Sequence, residues 1–193
     1  MSKKIKLAIF DMDGTVFESY LNWADIREEL GIESNILKEI YKDDRVDRPR
    51  LEILENYESE NTTKTRPVNG VSRFLHYLGE QKIKTALITN NNRKNTDYLL
   101  NKFNLEFDTV VTREMRLWKP DPDAFFHVME LYGCGPDEVV SIGDSHYDID
   151  ASKAAGISAI FIIKKASGSL PPVDDKGVVY FDDFYHLKKL LNL

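Results

Sequence analysis

The sequence predicts an α/β fold: a parallel sheet wound with helices on both sides and interrupted early by a helical insertion. Three observations carry this. Short apolar runs without polar alternation recur along the chain, as strands buried on both faces require. Stretches with apolar residues at i, i+3, i+4 and i+7 fall between them. Residues 17–67 break that rhythm, being rich in charge and poor in strand-like runs. Strand alternating with helix implies a doubly wound parallel sheet.

The elements follow in order. Leu7–Phe10 is the first apolar run, with Asp11 at its carboxyl end. Residues 85–88, 107–111, 139–142 and Ala159–Ile163 are further strands of the same kind. Val71, Phe74, Leu75 and Leu78 mark one helix, Thr96, Leu99, Leu100 and Phe103 a second, and Phe125, Val128, Met129 and Tyr132 a third. Asp121 and Pro122 supply a cap and a first-turn proline, Gly133 a left-handed stop, and Gly156 closes residues 148–155 in the same way. Within the insertion, helical spacing runs through Trp23, Ile26 and Leu30, then Leu37, Ile40 and Tyr41. The Trp23 and leucine stripe reads as the insertion's own core. Its exit is the polar stretch 59–70, which has a linker's composition; Asn61-Thr62-Thr63 matches a glycosylation acceptor but reads as part of that linker. The expected division is a core of residues 1–16 and 68–193 and a helical cap of residues 17–67.

Composition bounds the function. Of the 193 residues, 26 are Lys or Arg and 32 Asp or Glu, a net charge of −6 that argues against a general affinity for nucleic acid or anionic membrane. One cysteine, Cys134, excludes an internal disulfide framework and multi-cysteine zinc patterns, and reads as a small buried side chain in a reducing compartment. No apolar run approaches the roughly 18 residues of a membrane span, and the start reaches acidic residues too early for a signal peptide, so a cytoplasmic protein is expected.

Four places could hold chemistry. Asp11 and Asp13, with Gly14 and Thr15, put two carboxylates at the mouth of the sheet, where such folds bind ligands. An EF-hand is excluded, because Val16 and Asn22 stand where its glycine and closing glutamate belong. Thr89 ends a strand and precedes Asn90, Asn91 and Asn92, a hydroxyl and amides at a helix amino terminus that suit an anion. Lys119 lies between Trp118 and Pro120-Asp121-Pro122, where prolines restrict the backbone. Trp118 either walls a pocket or packs in the core. Gly143-Asp144-Ser145-His146-Tyr147-Asp148 brings two more carboxylates to the same edge, hard oxygen donors that suggest Mg²⁺; His146 reads as a polar loop residue. Carboxylates needing a metal, a cation and phosphate-sized donors at one rim describe phosphoryl transfer.

In that order these motifs resemble the haloacid dehalogenase superfamily of phosphatases, and the insertion after the first motif is similar to its small helical cap. The resemblance implies a Rossmann-like core. It implies Asp11 as the nucleophile that forms an aspartyl-phosphate and Asp13 as the acid and base. Thr89, Asn90 and Lys119 would bind the phosphoryl group with Asp11. Mg²⁺ would sit between the Asp11 and Asp144 carboxylates and the Asp13 carbonyl, with Asp148 behind them orienting Lys119 or a metal-bound water. The acid at position 13 points away from dehalogenation. The glycine often found before the family's lysine is replaced by Arg116-Leu117-Trp118. The expected function is a Mg²⁺-dependent phosphatase of small phosphorylated metabolites, with a sugar phosphomutase as the rival within enzymes. A receiver-like signalling module would place its acid pair and phosphoacceptor on different strands; a silent phospho-ligand binder would keep the charged residues without turnover.

Overall fold

The computed structural model describes residues 4–164 and 177–191. Among the described residues six parallel strands form one sheet: β1 (Leu7–Phe10), β2 (Lys84–Ile88), β3 (Thr109–Val111), β4 (Val139–Gly143), β5 (Ala159–Ile163) and β6 (Val178–Phe181). Their spatial order is β3-β2-β1-β4-β5-β6. The order reverses between β1 and β4, which opens a crevice at their carboxyl ends.

Side chains alternate across the sheet as the pleat demands. Ala8, Phe10, Leu87, Val140, Ile142, Phe161 and Ile163 pack on one face with α4 (Val71–Glu80) and α8 (Phe184–Leu190). Leu7, Ile9, Ala86, Ile88, Val139, Ile160 and Ile162 pack on the other with α6 (Asp123–Tyr132) and α7 (His146–Ala154). α5 (Arg93–Phe103) follows β2, its first turn capped by Asn92, whose side chain accepts from Asn95 N–H. The fold class is the one the sequence predicts.

Between β1 and α4 lie α1 (Trp23–Leu30), α2 (Ile36–Ile40) and α3 (Arg48–Lys64). Ile26, Leu30, Ile36, Leu37, Ile40, Leu51 and Leu54 give them a hydrophobic cluster of their own. Four sequence expectations need correction. The expected linker 59–70 is α3 as far as Lys64, and Asn61 and Thr62 are buried rather than looped out. Both polar side chains are accommodated within the helix: Thr62 Oγ1 donates back to the Glu58 carbonyl one turn earlier, and Asn61 Oδ1 accepts from Tyr20 N–H outside the helix. Asp121 does not cap α6; Pro122 stands at the cap position and the Asp121 carboxylate pairs with Lys38 of α2 at 2.8 Å. β6 follows the expected strands unannounced. Cys134 is half-buried rather than in the core.

Candidate active site

The turn after β1 is built to aim two carboxylates the same way. Met12 is fully buried in the core, and its carbonyl accepts from the backbone N–H groups of Val16 and Phe17. Gly14 takes φ 97°, a conformation that favours glycine. Asp11 and Asp13, on either side of the anchored Met12, therefore both line a cavity of about 350 Å³ at the carboxyl ends of β1, β2 and β4. Thr89, Asn90, Lys119 and Asp144 line it too. The residues singled out in the four motifs thus meet in one place, except that Asp148 lies behind the wall.

Lys119 organises the floor. Its Nζ donates to Asp11 Oδ1 at 2.5 Å and to Asp148 Oδ1 at 2.6 Å, and all three side chains are buried or nearly so. Asn90 fixes its backbone: the amide Nδ2 donates to the Lys119 carbonyl at 2.9 Å, and Oδ1 accepts from the Lys119 N–H at 3.0 Å. The Asn90 side chain thus spends its oxygen and one N–H on the lysine backbone while it also lines the cavity. Burial works against the Lys119 charge, yet Asp11 and Asp148 outweigh it and hold its pKa above the ordinary lysine value. Burial also opposes ionisation of Asp148, but Lys119, Ser145 and the Asp144 backbone keep its carboxyl below the ordinary carboxylate range. Asp11 goes the other way. Burial raises its pKa, Lys119 lowers it, and Asp148 and Asp144 push it up again.

Asp148 is held from both sides, its Oδ2 accepting from the Asp144 N–H, the Ser145 N–H and Ser145 Oγ. That fit requires Gly143, where an added Cβ would stand 2.4 Å from Asp148 Cβ and Cγ. Gly143→Ala is expected to cost about 1–3 kcal/mol in denaturant unfolding, because the pinned Asp148 cannot yield. Gly79→Ala, in α4 with nothing within 4 Å, is the contrasting case and should be stabilising by about 0.5–1 kcal/mol. Equal effects at the two positions would contradict this account.

Thr89 Oγ1 accepts from the Asn91 N–H at 3.0 Å, and Asn91 Nδ2 donates to Asp13 Oδ2 at 2.9 Å. From the helical insertion, Leu21, Trp23, Arg27, Leu37, Leu54 and Glu58 are among the residues that line the cavity. Trp23, expected in the insertion's core, is instead 45% exposed at the cavity, and His146, expected as a loop residue, opens α7 and lines it. Trp118 resolves as packing: its ring lies 5.0 Å from Tyr41, and its Nε1 donates to the Arg113 carbonyl. Sequence reasoning missed Glu58 and Arg113, which are buried together, Glu58 lining the cavity and Arg113 behind it. An arginine closely following an apolar strand was the available signal.

A family model of haloacid dehalogenase-like hydrolases matches residues 24–162, from within α1 into β5. The chain belongs to that family. This haloacid dehalogenase-like hydrolase is 30% identical over 169 residues to a haloacid dehalogenase-like hydrolase domain-containing protein of Arabidopsis thaliana, covering 79% of this chain and 69% of that one. It is 27% identical over 216 residues to a phosphoglycolate phosphatase of Pseudomonas savastanoi pv. phaseolicola, covering 96% and 78%. Its fold is shared with a hydrolase of known structure from Pseudomonas syringae, with TM-score 0.74, 22% identity, and coverage of 97% and 98%. The family and these relatives make it a hydrolase of the phosphatase-like kind.

The donor set fits a divalent cation. Oxygens of Asp11, Asp144 and Asp148 lie within 4.8 Å of one another. Asp148 is already engaged by Lys119 and Ser145, whereas Asp11 Oδ2 is buried with no hydrogen-bond partner among the described residues. A buried carboxylate oxygen without a partner is costly unless a cation meets it. Hard carboxylate oxygens suit a hard divalent cation.

Proposed function

We propose that this haloacid dehalogenase-like hydrolase is a Mg²⁺-dependent phosphomonoesterase acting on small phosphorylated metabolites through an aspartyl-phosphate on Asp11. The observation that carries the reading is the state of Asp11, buried with one oxygen on Lys119 and the other unpartnered, beside a second carboxylate two residues on. A carboxylate so placed is an oriented nucleophile; a structural aspartate would have both oxygens satisfied.

In this mechanism an Asp11 carboxylate oxygen attacks phosphorus as the ester P–O bond breaks, and Asp13 gives its proton to the departing oxygen. Asp13 then takes a proton from water as that water attacks phosphorus, the bond to Asp11 breaks, and phosphate leaves. Lys119 neutralises Asp11 and the phosphoryl oxygens, and Asp148 with Asn90 holds Lys119 in place. Thr89 would donate its hydroxyl hydrogen to a phosphoryl oxygen, since its oxygen already accepts from Asn91. The Asp11 and Asp144 carboxylates and the Asp13 backbone carbonyl would hold Mg²⁺. Bound there, the ion supplies the positive charge that lets an anion approach a phosphate.

The α1–α3 insertion would act as a cap, closing the mouth with Leu21, Trp23 and Leu37 and excluding water. A cavity of about 350 Å³ suits a small metabolite ester. No helix among the described residues is long and apolar enough to cross a membrane.

The test uses leaving groups. Asp13→Ala is expected to lower kcat/KM, which reports the first phosphoryl transfer and not the later water step, by about 10²–10⁴-fold on alkyl phosphates, and far less on 4-nitrophenyl phosphate, whose leaving oxygen needs no proton. Equal losses on both substrates would remove Asp13 from the acid role.

A further inference from the structure

Arg113, in the turn after β3, is completely buried, and its partner Glu58 is 3% exposed on α3. The pair is forked: Nη1 donates to Oε1 and Nη2 to Oε2, both at 3.0 Å. It joins the helical insertion to the sheet edge. Glu58 Oε2 also accepts from Asn92 Nδ2 at 3.1 Å, while the Arg113 backbone N–H donates to the Asn91 carbonyl at 3.0 Å. Asn91 is thereby held at several points. Its Oδ1 accepts from the Asn92 N–H at 2.8 Å, and its Nδ2 donates to Asp13 Oδ2. A continuous set of hydrogen bonds runs from α3 to the Asp13 carboxylate.

The pair is a poor choice for stability alone. Two charges withdrawn from water commonly gain no more than apolar side chains of the same size. On the inward face of α3, Leu54 and Leu51 lie one and two turns before Glu58 and would adjoin such a replacement, while the polar Asn61 and Thr62 follow it. What a forked arginine–carboxylate pair supplies and an apolar contact does not is a fixed register and orientation, because two parallel bonds tolerate neither sliding nor rotation.

We propose that Glu58 is a positioning residue: through Arg113 and Asn92 it registers α3 against the 89–92 turn and so keeps the Asn91 amide on the Asp13 carboxylate. The insertion then sets the orientation of the group that protonates the leaving oxygen, and does more than cover the cavity. The inference rests on the reading of Asp13 as the acid.

Glu58→Gln alone would strand a buried guanidinium, so the informative variant is the double Glu58→Leu with Arg113→Met, which replaces the pair by apolar groups. Wild type and double variant would be compared with Mg²⁺ on an alkyl phosphate and on 4-nitrophenyl phosphate. The expected result is a kcat/KM loss of about 10–100-fold on the alkyl ester and less than about threefold on the aryl ester, with a melting temperature only a few degrees lower because Asn92 Nδ2 loses its buried acceptor. A merely structural pair would lower both rates equally or neither, and either outcome overturns the proposal. NMR of the Asn91 side-chain amide supplies a readout that needs no turnover. Its resonances should shift in the double variant, and an unmoved signal overturns the proposal. Should the wild type release no phosphate from either ester, the phosphatase reading fails, and the NMR arm alone decides whether Glu58 positions Asn91.

Discussion

Asp11→Asn is expected to abolish phosphate release, by at least about 10⁴-fold in kcat on an activated aryl phosphate and on any metabolite ester the wild type hydrolyses. The amide has the same shape and can still accept from Lys119 through Oδ1, so the cavity should survive. It lacks the negative charge that makes a nucleophile and would help retain a cation. The same change should not cost stability. Asp11 is a carboxylate held in burial next to Asp144 and Asp148, an arrangement that raises its pKa and is only partly offset by Lys119. Replacing it with a neutral group relieves that repulsion, so the metal-free variant should melt no lower than the wild type and could melt higher, as functional sites that store electrostatic strain do. Phosphate assays with and without Mg²⁺, paired with melting curves in chelator, check both halves. Retained turnover would displace Asp11 as nucleophile. Lost turnover with a collapsed melting temperature would make it a structural residue instead.

Most of the site was legible in the sequence because its residues sit at the ends of strands, and strand ends are what apolar runs mark best. Asp11 after Leu7–Phe10, Thr89 after β2 and Asp144 after β4 converge since parallel strands share a carboxyl edge. Lys119 needed more, a loop fixed by prolines and, in the structure, by the reciprocal amide of Asn90. Other features were hidden for physical reasons. α3 was obscured because its buried face carries Glu58, Asn61 and Thr62 beside Leu51 and Leu54, so the apolar period that reveals a helix is broken where the helix meets other polar groups. Trp23 looked like core because a helical stripe records which residues share a face and not what that face meets. Glu58 and Arg113 lie 55 residues apart, and no local pattern connects them.

Lys119→Met is expected to damage both stability and activity, and the pH dependence separates its causes. In the native chain Nζ touches Asp11 and Asp148 while only 4% of the side chain is exposed. Its removal leaves two carboxylates buried together with no counter-charge, which should cost about 3–5 kcal/mol near neutral pH. The sign follows from the shifts. Asp148 is held below its ordinary 3.8 in the folded state, so its contribution is present above that value and fades as pH falls through the lowered folded value. Lys119 is held above its ordinary 10.5, so its contribution is complete below that value and is lost only at higher pH. Between those limits the Lys119 and Asp148 contributions are constant, whereas Asp11, raised to about 7, costs progressively more as pH rises from about 4 towards 7. In the variant the stranded carboxylates titrate upward instead, and protonating them removes the penalty. The stability gap between wild type and Lys119→Met, measured by denaturant unfolding of the metal-free protein, should therefore be widest near neutrality and close towards pH 4. A gap that stays constant across that range would mean that the lysine contributes packing alone. Turnover should fall by about 10²–10³-fold at every pH where the variant is folded, because the phosphoryl oxygens lose a preorganised cation. Lys119→Arg should restore little of it, since a planar guanidinium cannot enter a pocket shaped for a compact ammonium between two carboxylates.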